Sequence, residues 1–136
     1  MRFTTSRRPS PGTRRLARTL AHFLGAEYMT RGKTGLNDHG EVWMVVVEGD
    51  GNPAGLARRS RGEERVLRFA VSVEGRPRRL GKKRPVVVGT GKDACDLAEF
   101  FGLDWSPEGA AQREIRVGDE YLDLVDGEDL VLRLKI

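Results

Sequence analysis

The sequence predicts an α/β fold, a mixed β-sheet carrying helices, and three observations support that prediction. Short apolar runs rich in β-branched residues, VWMVVV and PVVV, are bounded by Gly, Asp and Pro and read as buried strands. Two segments, Pro11 to Leu24 and GKDACDLAEFFG, space their apolar residues at the helical period and stop at a glycine. The two helical segments also sit inside stretches that repeat each other at an offset of 77 residues. At 136 residues the chain is sized for one compact domain that buries roughly two thirds of its unfolded surface.

Taken in order, RFTTS reads as a short strand, with threonines after Phe3. SRRPSPG is a loop of turn residues. A helix follows, with Ser10 at the N-cap, Pro11 in the first turn and Gly25 at the end. Leu16, Leu20, Phe23 and Leu24 form its apolar stripe, flanked by Ala17 and Ala21, while Arg14, Arg15, Arg18 and His22 lie off it. AEYM is a short strand. TRGKTGLNDHG is a loop with room for a helical turn, and EVWMVVVE is a buried strand. GDGNPAG is a turn. LARRSRGEE reads as a helical turn leading into one alternating strand, RVLRFAVSV. EGRPRRLGKKR is a basic, turn-rich connection before the PVVV strand and the second helix. The end, from REIRVG to LVLRLKI, reads as two or three strands with a turn at Asp126–Gly127. Strands alternating with helices and then a strand-rich tail make a mixed sheet.

The repeat sets LAHFLGAEY (20–28) against LAEFFGLDW (97–105), with Leu, Ala, Phe and Gly in common and Tyr28 facing Trp105. It predicts a duplication: two similar α/β halves, about 1–75 and 76–136. An amphipathic helix that ends on glycine before a strand is the bland alternative.

Net charge is +4, but it is segregated. The first 35 residues hold eight basic residues against Glu27 alone, and residues 53–84 hold eleven against three acids. Residues 85–136 reverse the balance, with twelve acids against five bases. This pattern predicts a two-sided molecule with one face for a polyanion. A lone cysteine, Cys95, excludes an internal disulfide and a cysteine-rich zinc site and fits a reducing compartment. No run approaches the roughly 18 apolar residues of a membrane helix.

On TTSRRPSPGTRRLARTLAHFLGAEYMTRGK the chain resembles the Brix domain in its compact archaeal form. The elements that carry the resemblance are Thr5-Ser6-Arg7-Arg8-Pro9-Ser10, the arginine-rich helix from Thr13 to Leu24, and Arg31-Gly32-Lys33. The later VVVEGDGNPAGL and DLAEFFGL are also similar. The resemblance implies a single Brix-like domain of two halves, each resembling the anticodon-binding domains of class II synthetases. It implies a non-enzymatic, cytoplasmic ribosome-biogenesis factor whose partners are pre-ribosomal RNA and other ribosome-assembly proteins, with no cofactor and no metal. This chain is short for the family and its last third is acidic, so the family's C-terminal RNA contacts are not assumed for it.

The candidate RNA contacts begin in the first block. Hydroxyls of Thr5, Ser6, Ser10 and Thr13, with the open N–H groups of a helix start, predict a phosphate cradle. Arg7 and Arg8 add bidentate donors, and Arg14, Arg15 and Arg18 extend the charge along a helix with no acid to pair them. Arg31 and Lys33 flank Gly32 in the next loop. Arg58 and Arg59, and then Arg76, Arg78, Arg79, Lys82, Lys83 and Arg84, are candidates for backbone contacts. With about six phosphates neutralised, log affinity falls against log salt with a slope of about −4 for a single strand and about −5 for a duplex-like target. Most of the nine aromatics fall at core positions, which argues against a stacking surface.

Two other functions fit parts of the sequence. A protein-binding module would dock an acidic partner on the same basic block. A small nucleotide-dependent enzyme would use VVVGTGKDA, but Val86 stands where a P-loop needs glycine and Asp93 where it needs a hydroxyl. A tight turn capping the second helix explains that stretch better. The opening has the look of a transit peptide, yet its helix leads straight into a strand and its stripe recurs in the second copy.

Overall fold

The structure, a computed structural model, describes residues 1–31, 41–75, 80–81, 83–109 and 111–136. Its elements are β1 (Arg2–Thr5), α1 (Pro11–Phe23), β2 (Glu27–Tyr28), β3 (Trp43–Gly49), β4 (Asn52–Ser60), β5 (Glu63–Arg68), β6 (Ala70–Glu74), β7 (Val86–Val88), α2 (Lys92–Phe101), β8 (Trp105–Ser106), β9 (Arg113–Val117), β10 (Tyr121–Asp126) and β11 (Asp129–Lys135). The fold is α/β with mixed sheets, and the chain divides into two compact units, Met1–Ala70 and Val71–Ile136.

In the first unit the strand order is β2-β1-β3-β4-β5. Strand β1 runs parallel to β2 and to β3, and β3, β4 and β5 follow antiparallel. Helix α1 is the crossover between the parallel neighbours β1 and β2. It buries Leu16, Ala17, Leu20, Ala21 and Phe23, against a sheet whose Phe3, Met44, Val46 and Leu56 are almost fully enclosed. The second unit repeats the plan with β8-β7-β9-β10-β11 and adds β6 outside β11. Strand β7 is parallel to β8 and β9, and β9, β10 and β11 are antiparallel.

The helix ends agree residue for residue. Ala26 N–H donates to Ala21 O and Gly25 N–H to His22 O; at the 77-residue offset, Leu103 N–H donates to Ala98 O and Gly102 N–H to Glu99 O. Both glycines take the left-handed conformation that lets a helix stop this way, Gly25 at φ 68° and Gly102 at φ 66°. The aligned aromatics are matched too, since Tyr28 pairs with Phe3 and Trp105 with Val87, each on the outer parallel strand.

Two expectations need correction. LARRSRGEE holds no helical turn: residues through Ser60 belong to β4, and Arg61 and Gly62 make a tight hairpin turn with φ of 50° and 77°. RVLRFAVSV is two strands, not one. It breaks at Phe69, whose side chain is buried, and β5 and β6 end up in different sheets as exposed edges. The division between the two compact units falls at Ala70/Val71, where β6 joins the second sheet. The helical turn allowed for in TRGKTGLNDHG falls largely on residues 32–40, outside the described residues. Among the described residues no helix is long and apolar enough to cross a membrane.

Candidate nucleic-acid interface

The helical period decides where the α1 arginines go. Positions 14, 15, 18 and 22 fall within an arc of about 100° at 3.6 residues per turn, opposite the apolar stripe. Arg14, Arg15, Arg18 and His22 are all exposed, and the first turn carries no acid. Arg18 also spreads over the Tyr28 ring, its guanidinium carbon 5.3 Å from the centroid. Arg7 and Arg8 are exposed in the loop just before the helix. That loop is clamped at both ends, by Ser6 N–H on Val46 O at 3.0 Å and by Ser10 N–H on Glu48 Oε1 at 2.6 Å. The clamp holds Arg8 at φ 54°, a region that costs a residue with a Cβ about 1 kcal/mol. Among the described residues Arg7, Arg8 and Arg14 form no ion pair.

The phosphate cradle is corrected by the same geometry. Thr5 and Thr13 are enclosed, at 1% and 0% exposure, so neither hydroxyl reaches a ligand. The start of α1 already holds an anion, the Glu48 carboxylate. Its Oε1 accepts from Thr13 Oγ1 at 2.6 Å as well as from Ser10 N–H, while Ser10 Oγ accepts from Thr13 N–H at 3.2 Å as the N-cap. The Thr13 hydroxyl, then the Ser10 backbone and side chain, hold the Glu48 carboxyl below the usual glutamate range. Sequence reasoning missed Glu48. The available signal was strand alternation, which puts it on the face of Met44 and Val46, beneath a helix with no acid of its own in the first turn.

Arg31 is half-buried, and its Nη1 donates to Thr5 O at 3.4 Å, beyond the end of β1. Burial first, then the charges of Arg59 and Arg7, push its pKa down. Arg59 and Arg7, predicted contacts from two other segments, are thereby within electrostatic reach of Arg31. Arg59 is itself engaged by Glu64 at 2.6 Å, and Arg58 is half-buried on β4. In the second unit Lys83 and Arg84 are exposed, but Arg84 Nη2 donates to Gly102 O at 2.6 Å and so caps the end of α2. Lys33, Arg76, Arg78, Arg79 and Lys82 lie outside the described residues.

The glycine turn before α2 has backbone reasons for its glycines. Gly91 is the N-cap, at φ 92°, and a side chain at Gly89 would meet Ala94 Cβ at 3.1 Å and Val117 Cβ at 3.2 Å. Six of the nine aromatics are buried, Tyr28 and Tyr121 are half-buried, and Trp105 is 43% exposed.

No protein-family model matches the chain. It is 30% identical to a "probable Brix domain-containing ribosomal biogenesis protein" of Archaeoglobus fulgidus, over 98% of this chain and 92% of that one. It is 33% identical to a protein of the same description from Methanothermobacter thermautotrophicus, over 93% and 88% of the two chains. Among solved structures it matches Mil, an archaeal Imp4-like protein, with a TM-score of 0.76 and 32% identity, covering 100% of this chain and 96% of that one. With identity sustained over nearly the full length of these relatives and the same fold, the chain belongs to the Brix domain-containing ribosomal biogenesis proteins.

Proposed function

We propose that the protein binds precursor ribosomal RNA through phosphate contacts along the outer face of α1 and the loop before it, without catalysing a reaction. Arg7, Arg8, Arg14, Arg15 and Arg18 make the contacts, and Arg31 adds charge from the loop after β2. The observation that carries this reading is the exposed basic arc of α1, which has no acid in its own first turn and runs on into two exposed arginines. An exposed arginine-rich face of this kind favours a polyanion, since each neutralised phosphate releases counterions. Most aromatics are in the core, so recognition rests on backbone charge and shape more than on base edges.

Replacing Arg7, Arg8, Arg14 and Arg15 by Ala tests the proposal. On a single-stranded pre-ribosomal RNA fragment, the plot of log affinity against log salt should lose about 3 units of slope, with the circular dichroism spectrum unchanged. An unchanged slope places the RNA elsewhere. A basic block that docks an acidic protein instead would leave partner complexes intact after RNase treatment.

A further inference from the structure

Tyr28 and Trp105 occupy the same place in the two units, but only Tyr28 is covered. Arg18 of α1 lies over the Tyr28 ring, 5.3 Å from its centroid. The matching position of α2 is Cys95, whose short exposed side chain brings no charge to an aromatic face. Trp105 is left 43% exposed. Its indole N–H already donates to Gly89 O at 2.8 Å, so the ring is held in one orientation and its polar edge is satisfied. Among the described residues no charged group lies over its π face. The neighbouring segments are rich in acid: Asp104 precedes the ring, and Asp96 and Glu99 share the exposed side of α2 with Cys95 and Lys92, while Arg84 is engaged on Gly102 O at the end of the helix.

We propose that Trp105 and its flanking carboxylates dock an arginine-bearing segment of a protein partner. The partner's guanidinium takes the place over Trp105 that Arg18 takes over Tyr28. A cation is favoured at an aromatic face, and more so where carboxylates surround it. A nucleobase also stacks on tryptophan, but its phosphates would run against Asp96, Glu99 and Asp104.

The test titrates the full chain with a peptide of alternating glycine and arginine, with its neutral citrulline counterpart, and with oligouridylate. The readout is the Trp105 indole N–H resonance, assigned with Trp105→Phe. The arginine peptide should shift Trp105 and leave the buried Trp43 unmoved, and the citrulline peptide should shift neither. Trp105→Ala should weaken peptide binding by about 5- to 30-fold. Cys95→Arg, which restores the internal guanidinium, should weaken it to a similar degree without loss of folding. Equal affinity in wild type, Trp105→Ala and Cys95→Arg overturns the proposal, as does a Trp105 shift produced by oligouridylate and not by the peptide.

Discussion

Helices α1 and α2 have the same closing hydrogen bonds and the same left-handed glycine, and opposite surfaces. Outward from α1 stand Arg14, Arg15 and Arg18; outward from α2 stand Asp93, Asp96 and Glu99, with Lys92 the one base. The contrast extends to whole units, with 13 basic against seven acidic residues up to Ala70 and 11 against 13 beyond it. The sheet faces away from the helices differ as well. Matching Met44 to Ile115 through their β1 and β7 partners sets the row Val45, Ala57, Val66 against Arg116, Asp123, Arg133. The first row holds Val45 and Ala57, both 1% exposed, in a cluster with Trp43. The second is a charged ladder in which Arg133 grips Asp123 with two bonds, at 2.7 and 3.0 Å. A repeated fold thus keeps its helix seat and helix ends, while its outer faces are free to take opposite roles.

If the units hold themselves together differently, substitutions should separate them. The largest effect is expected at Arg113, buried in the second unit. There Nη2 meets Asp126 at 3.0 Å and Nη1 holds the carbonyls of Gly81 and Lys83 at 2.9 and 3.0 Å. Arg113→Ala removes the buried charge partner of Asp126, which keeps the Gln112 amide on Oδ1 at 3.1 Å, and should cost about 3–5 kcal/mol in urea denaturation. A loss below about 1 kcal/mol, typical of exposed pairs such as Arg59–Glu64, would erase the distinction.

Next come the paired core leucines. Leu20→Ala should cost about 3 kcal/mol and Leu97→Ala about 2, since Leu20 is 1% exposed and Leu97 8%. The reverse order in thermal melts would mean that the two helix seats are not equivalent.

The smallest effect is expected at Glu48, which serves the start of α1 and has no counterpart at Gly91, where the cap makes no side-chain bond. Glu48→Gln should cost about 1 kcal/mol at neutral pH. The folded-state pKa of Glu48 is lowered, so its contribution is complete above the unfolded value of about 4.3 and is lost as pH falls through the folded value. The gap between wild type and Glu48→Gln should close in acid. A gap that persists there would assign the effect to shape, not charge.

Much of the candidate site was legible because a helix converts spacing into direction. Leu16, Leu20 and Phe23 could only face inward together, which turned Arg14, Arg15 and Arg18 outward. Thr5 and Thr13 were misplaced because a hydroxyl near a helix start reads the same in sequence whether it lies above the surface or beneath it. Arg59 and Arg84 also have partners within the protein that spacing could not show, because Glu64 on the neighbouring strand and the carbonyl at the end of α2 come from pairing and packing.

By itself the sequence determined the periodic elements, the repeat with its glycine stops, and the segregation of charge, because each depends on residues close in the chain or on identity at a fixed offset. Only the tertiary structure decided which anion fills the start of α1, that RVLRFAVSV divides between two sheets, and that Trp105 stands uncovered. Those outcomes depend on strand neighbours and on the reach of side chains across 35 residues or more, as between Thr13 and Glu48, which no local pattern encodes.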